Sequence, residues 1–591
     1  MTVNAVAFAN NDIAYIWWRR AAKLPNCLGF SVHRIDSANH EEALPAFVGF
    51  KPGLPGQPHK LRNTDVWPIQ SFQWKDVYAP PGTYRYRIVP MLGPDTEALQ
   101  PDVANALLTN AVTISGDYGD LQAYFNVGLI STQAVARRLR KLVAAGLYPN
   151  RLDALKGEIA RPGSEIRKTL AGDVLDKGVL ALLARAGGSA KGSCKLALYE
   201  LTDGELRDAI VVLAGKKRLA LCLANADSTV QTTDAQGKTH TTKVKDGTNA
   251  AARAALKAKA VNLVDRFVPS SSIGHNKFVV YADAQGKNQR VLTGSTNWTA
   301  TGLCSQTNNA LLIRNAAIAD GYRKYWDWLV WDAAQTPVQG KDLRDWDGAA
   351  PLQTDVDKGS VTVWFSPNTA RKTKDETVTP PDLAEVFSLI LAAQHGVLFL
   401  AFNPGTPSCL EVVRQKAEAM KAAGQPFYVR GAVTDPAPLG QFATFLTKRD
   451  ATTAPDVLVS GVAGVPDDFS YWEQELYKIG HAVIHDKILV IDPFTPHCVV
   501  VTGSHNLGYK ASYQNDENLV IVKGHRRLAA AYAAHVLDVT NHFAWRYKLS
   551  ALQKQGRMAQ AWGDLDDSDA WQNKYFGPVG DLSRDAFFFG P

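Results

Sequence analysis

Apolar and aromatic residues recur at every second position in IAYIWWR, GFSVHRI, SFQWKDV and TYRYRIVPM, the period of a strand with one buried face. Pro and Gly clusters such as LPGQP and APPG separate these runs, so residues 1–115 are predicted to form a β-sandwich with Trp17 or Trp18 as its core aromatic. The period then changes. TQAVARRLRKLVAAG places apolar residues three and four apart with Arg and Lys between them, and residues 116–190 read as a helical connector with a solvated basic face.

The remainder repeats itself once. LRDAIVVLAGKKRLALCLANAD, a helix leading into a buried strand, has a counterpart in LAEVFSLILAAQHGVLFLAFNPG. Each copy continues through a second helical stretch (249–260, then 411–423), an extended H-x-K segment, and a strand running into G-S-x-N, RVLTGSTNW in one and VVVTGSHNL in the other. Helices alternating with strands predict an α/β fold of two similar lobes packed face to face, at 191–345 and 355–591. The Y-R-Y-R-I run after P-P-G gives the N-terminal sandwich a resemblance to fibronectin III and immunoglobulin-like modules. Residues 340–360 and 366–380 read as linker and surface loop, and 228–248 as a flexible loop near the rim of the first lobe.

Composition narrows this only a little. At 591 residues, three or four structural units are expected, and 46% hydrophobic with 20% charged residues is ordinary globular usage. A net charge of +7 permits a phosphate-bearing substrate without selecting one. No run approaches the roughly 20 apolar residues of a membrane span, and the N-terminus lacks the basic start and apolar run of a leader. A cytoplasmic monomer is the expectation, although a mature secreted form would read the same way. Cys27, Cys194, Cys222, Cys304, Cys409 and Cys498 are scattered without a C-x-x-C pair, which argues for buried thiols over a zinc knuckle or disulfide framework.

The chemistry sits in the repeated motifs. IGHNKFVVYAD carries His275 and Lys277, and GSTNW carries Ser295 and Asn297; VIHDKILVID carries His485, Lys487 and Asp492, and GSHN carries Ser504 and Asn506. Side chains two apart on a strand share a face, so each H-x-K sets an imidazole beside an ammonium. One imidazole can attack phosphorus while the other donates a proton, and Lys, Ser and Asn hold the phosphoryl oxygens without a metal. His481 lies four residues before His485, with His497 and His505 nearby, but four-apart histidines converge only on a helix and this segment reads as strand. No metal and no cofactor are therefore expected. Trp298, Tyr281, Tyr471 and Trp472 near the motifs read as core aromatics.

The doubled pattern resembles the phospholipase D superfamily, whose signature is H-x-K-x4-D with a trailing G-S-x-N, present twice in monomeric members. The resemblance covers roughly residues 190–550. It implies two phospholipase D-like lobes and a phosphodiesterase working through a phosphohistidine. The first copy departs from the signature: Ala282 stands at the expected Asp and Asp283 follows one position late. That Asp is mainly structural in the family. The superfamily also places an acid or amide after G-S-x-N to orient the histidine of the opposite lobe. Aligning QTNNALLI with QNDENLVI pairs Asn309 with Glu517, so that Glu517 would orient His275 and Asn309 would contact His485. This favours His275 as nucleophile and His485 as general acid and then base.

Three functions compete. A phospholipid phosphodiesterase, hydrolysing the head-group ester or transferring the phosphatidyl group to an alcohol, fits the tandem layout and near-neutral surface, with peripheral membrane contact through the basic helix left open. A nuclease or nucleic-acid end-processing enzyme would use the same site behind a continuous basic groove drawn from residues 134–142 and 216–259. A non-catalytic scaffold would leave the work to the sandwich.

Overall fold

The computed structural model describes residues 4–46, 48–50, 62–94, 96–126, 128, 132–188, 191–233, 239–370, 378–434, 457–459, 484–556, 565–576 and 581–590. Tyr471, Trp472 and His481 lie outside them. The four strands anticipated near the N-terminus form as Ala14–Trp18, Cys27–Ile35, Gln73–Asp76 and Gly82–Leu92. They divide between two antiparallel sheets, one completed by Ala5–Ala9 and the other built on the pairing of Gly82–Leu92 with Cys27–Ile35. Trp18, Phe30, Phe72 and Tyr86 fill the space between them. Alternation turns the adjacent Trp17 the other way, into the core of the lobes. Both tryptophans are therefore core residues, and Ala14–Trp18 is buried along its whole length.

The far end of the chain closes this module. Trp571 donates its indole N–H to the Cys27 carbonyl and packs against Phe30 and Phe72. Phe589 stacks on Trp17, and Phe588 stacks on Tyr428 of the second lobe. Residues 355–591 thus do more than build that lobe.

Each lobe is centred on one mixed sheet. The first has the strand order Leu121–Phe125, Asn309–Ile313, Asn288–Gly294, Lys277–Ala282, Ser193–Leu198, Leu219–Ala224, Asn262–Arg266. The second repeats it as Gly359–Ser366, Glu517–Lys523, Val499–Gly503, Lys487–Ile491, Gly396–Ala401, Tyr428–Val433, Val457–Val459, with Leu352–Val356 added at the edge. In both, the H-x-K strand runs antiparallel to the strand beside it, which pairs in parallel with the next.

Several sequence expectations need correction. The counterpart of Gly396–Ala401 is Ser193–Leu198, not the strand in LRDAIVVLAGKKRLALCLANAD, because both strands occupy the place next to H-x-K. The repeat is real but shifted by one helix and strand. Leu121–Phe125, inside the supposed helical connector, pairs with Asn309–Ile313 and caps the first sheet. The supposed linker is ordered as a helix, Lys341–Ala349, and the strand pair Leu352–Val356 and Gly359–Ser366. Residues 371–377 of the expected loop lie outside the described residues. In place of the flexible loop at 228–248 stands an antiparallel hairpin, Ser228–Thr233 with Thr239–Val244.

Two helices bind the lobes together. Ala316–Ala333 lies on the first sheet and its Tyr322 hydroxyl donates to Asn518 of the second lobe. Arg526–Lys554 lies on the second sheet and its Tyr532 reaches Asn309 of the first. Thr293 and Thr502 make the matching contacts, to Asn518 and Asn309 respectively. An approximate two-fold relation therefore runs through the interface.

Candidate active site

Each histidine stands two residues ahead of its lysine, in the extended segment entering the strand, and its backbone is pinned to the opposite lobe. His275 N–H donates to the Asp516 carbonyl, and His485 N–H donates to the Thr307 carbonyl. The residue after each of those accepting carbonyls then points at the imidazole. Glu517 takes His275 Nδ1 at 3.0 and 2.9 Å through its two oxygens, and Asn308 Oδ1 takes His485 Nδ1 at 2.8 Å.

This corrects one assignment. Asn308, not Asn309, is the partner of His485, and Asn309 is the equivalent of Asn518. Asn309 instead donates to Asp486 and accepts from Thr502 within the interface. The glutamine match between Gln306 and Gln514 shifted the alignment by one; counting from Ser295 and Ser504 to the partner gives Asn308 and Glu517 at equal distance. Ser295 Oγ donates to Asn308 Oδ1, while Asn308 Nδ2 donates to the Gly302 carbonyl, which fixes the amide with its oxygen towards His485. Ser504 accepts from the Asn518 backbone N–H. Both serines thus shape the G-S-x-N turns. Gly294 and Gly503 adopt φ of 150° and 125°, and a Cβ there would collide with the Asn309 and Asn518 carbonyl oxygens.

The two imidazoles face each other with centroids 6.5 Å apart. Lys277 and Lys487 flank them, each donating to the carbonyl of its own histidine, at 2.6 and 2.5 Å. An aromatic ring backs each pair: Tyr199 lies 5.2 Å from His275 and Phe402 lies 4.6 Å from His485. Both rings follow equivalent strands, Ser193–Leu198 and Gly396–Ala401. The sequence reading missed them, and only the corrected phase of the repeat would have paired them. Asn297 and Asn506 sit at the same place, each with a buried Oδ1 that has no hydrogen-bond partner.

Two candidate residues stand elsewhere. Asp492 accepts three backbone N–H bonds, from Gln394, His395 and Gly396, and so clamps the loop before Gly396–Ala401 at the far end of the H-x-K strand. Its part is structural. Asp283, one position late, lies in the exposed hairpin turn after Lys277–Ala282 and accepts from Gln285 and Lys287 N–H and from Gln289. It has no contact with the site.

Burial dominates the electrostatics. His275 and His485 are each 3% exposed, and Lys277 and Lys487 are 4% and 0% exposed. Burial pulls His275 down to about 4 against the upward pull of Glu517. His485 is held well below the usual imidazole value, by burial first and then by Lys487 and Lys277. Burial likewise lowers Lys277 to about 7 and Lys487 well below an ordinary ammonium. Burial raises the Glu517 carboxyl, but His275 and Lys277 more than offset this and leave it below the usual range. The free site therefore holds an ionised Glu517 and two neutral imidazoles, with Nδ1–H of each donated to its partner and Nε2 carrying the lone pair. A bound phosphate anion would restore charge to the lysines and His485, because it supplies the counter-charge they lack.

Outside this site, His505 bonds Ser512 and approaches Asp382, which ties the second G-S-x-N turn to the helix Pro381–Ala392. All six cysteines are free and buried, and Tyr281 and Trp298 are core residues. Among the described residues, no group of three or more His, Cys, Asp or Glu converges as a metal cage would, and no helix is long and apolar enough to cross a membrane.

Paired α/β lobes with one His-Lys-Ser-Asn set apiece define a phosphodiesterase-type enzyme. Residues 183–330 and 469–539 match the family model described as cardiolipin synthase, PLD-like domain. Over these two stretches the chain carries a phospholipase D-like domain pattern. Among solved structures it is similar to phosphatidylserine synthase of Haemophilus influenzae (12% identity, 62% of this chain and 84% of that one, TM-score 0.37). It is also similar to yeast tyrosyl-DNA phosphodiesterase (10% identity, 58% and 86%, TM-score 0.30) and to the nuclease Nuc of Salmonella typhimurium (18% identity, 31% and 95%, TM-score 0.19). No curated protein matches the sequence.

Proposed function

We propose that this chain cleaves a phosphodiester through a covalent phosphohistidine on His275, and that its substrate is a phospholipid. The observation that carries the mechanism is the facing imidazole pair with unlike partners, Glu517 behind His275 and Asn308 behind His485. Glu517 accepts Nδ1–H and makes Nε2 of His275 the better electron-pair donor. In the first step Nε2 of His275 bonds to phosphorus, the P–O bond to the leaving alcohol breaks, and His485, protonated when the anionic substrate is bound, gives its proton to the departing oxygen. In the second step water or an alcohol loses a proton to His485 as its oxygen bonds to phosphorus and the P–N bond to His275 breaks. Lys277, Lys487, Asn297 and Asn506 carry the charge on the non-bridging oxygens.

The phospholipid reading is supported by the matched family model, whose description names a cardiolipin synthase. A polyanion would need a basic groove, yet Lys243, Arg253 and Lys257 of the 216–259 segment are paired with Asp227, Asp246 and Asp265. The test is turnover of bis(p-nitrophenyl) phosphate, phosphatidylcholine, phosphatidylglycerol and single-stranded DNA in EDTA by wild type, His275→Ala and His485→Ala. Lipid turnover lost in both variants supports the proposal. DNA cleavage in place of lipid turnover rejects the substrate, and dependence on an added divalent metal rejects the mechanism.

A further inference from the structure

The pseudo-two-fold site is broken at one further place. Tyr199 and Phe402 are equivalent, and so are the residues that follow them, Glu200 and Asn403. Glu200 is thus a carboxylate beside Asn297 and Lys277, where a second negative charge works against anion binding. Its Oε2 accepts from Asn297 Nδ2 at 2.7 Å, which engages one of the two amides placed to meet the phosphate. The Asn506 amide of the other lobe has no such bond among the described contacts, and the unpartnered Oδ1 of Asn297 marks polar capacity left over beside Glu200.

A carboxylate with one oxygen bound to Asn297 has a second oxygen to offer, and a carboxylate only accepts. Burial raises the Glu200 carboxyl while nearby Lys277 opposes the rise, so it is not simply a solvated surface acid. It stands on the first-lobe side alone, because the equivalent position in the second lobe is Asn403.

On the proposed phosphodiesterase reading, we infer that Glu200 selects the substrate, accepting a hydrogen bond from a hydroxyl or ammonium on the alcohol portion next to the phosphate. The ligand class is a phosphate ester of a polyol or amino alcohol, and esters of plain alkyl alcohols lack the donor. Glu200 acts by contact with the substrate, and its bond to Asn297 holds the carboxylate in place.

Binding separates this claim from catalysis. Calorimetric titration of glycerol 3-phosphate, O-phosphoethanolamine and methyl phosphate into the wild type, Glu200→Gln and Glu200→Ala compares ligands that share the phosphate and differ in the donor. The expected result is a wild-type preference of about tenfold or more for a donor-bearing ester over methyl phosphate, the scale of one charge-assisted hydrogen bond. That preference should fall to about twofold or less in Glu200→Ala. Glu200→Gln, which keeps size and an acceptor but no charge, should lose phosphoethanolamine selectivity and retain more of that for glycerol phosphate. A wild type without preference, or a preference that survives in Glu200→Ala, overturns the inference. Failure of His275→Ala to abolish diester cleavage would reject the mechanism while leaving this ratio readable.

Discussion

The two lobes present the same side chains to the same point, and the contrast lies one layer behind. His275 leans on a carboxylate and His485 on an amide, although Glu517 and Asn308 hold equivalent positions after equivalent turns. A duplicated fold delivers two identical tools, and the proposed mechanism gives them different work through a single acid-to-amide difference. The carboxylate favours positive charge developing on its histidine, as the proposed attack of Nε2 on phosphorus requires, whereas the amide merely fixes a tautomer.

The most severe way to break the comparison is to remove one histidine at a time. His275→Ala should lower phosphodiester cleavage by about 10⁴-fold or more. His485→Asn should still release one equivalent of p-nitrophenol from bis(p-nitrophenyl) phosphate, a leaving group that needs little protonation, and then stall with the phosphoryl group on His275. Mass spectrometry of the stalled protein reads the site, and a label on His485 in the converse variant would reverse the assignment.

Exchanging the partners should have the next largest effect. Glu517→Gln should reduce kcat about 10²–10³-fold, and Asn308→Asp less than that. In the double variant, recovery of activity with the label moved to His485 would show that the carboxylate decides the roles.

The crowded cations give a milder, pH-dependent effect. Lys277 is lowered to about 7, so it is charged below that pH and neutral above it. Competitive inhibition by sulfate, whose own charge is constant in this range, should weaken by about tenfold per pH unit above 7. A constant inhibition constant from pH 6 to 8 would contradict the burial of charge described here.

The smallest effects distinguish the two aspartates after the H-x-K strands. Asp492→Ala leaves three backbone N–H groups without their acceptor and should lower unfolding stability by about 3 kcal/mol in urea titration. Asp283→Ala, in its exposed turn, should leave activity and stability at the wild-type level.

Legibility followed how local each signal was. The sandwich strands could be read because period two is written within single strands, and the motif residues because their types are chemically specific. The phase of the repeat could not: each lobe contains several helix-then-buried-strand units with the same hydrophobic pattern, and only hydrogen-bond partners tell Ser193–Leu198 from Leu219–Ala224. Asn308 was hidden by a neighbouring asparagine of the same type and by a chance glutamine match. Leu121–Phe125 joins a sheet whose other strands lie far along the chain, and the helix Lys341–Ala349 looks like a linker because Lys and Asp fill most of its exposed positions and its buried face includes the charged Arg344 and Asp347. Glu200 had no motif at all; it follows an ordinary strand, and its meaning comes from Asn297, 97 positions on.

The closing of the N-terminal sandwich by Trp571 bears on the order in which the molecule can be made. The carbonyl of Cys27 waits for an indole 544 positions later, and Trp17 waits for Phe589. A ribosome delivers these sheets 544 positions before the indole that closes them, so the module stays unsealed until the later segment has emerged. Through the intervening translation its unfilled aromatic face is a place where a chaperone would find work.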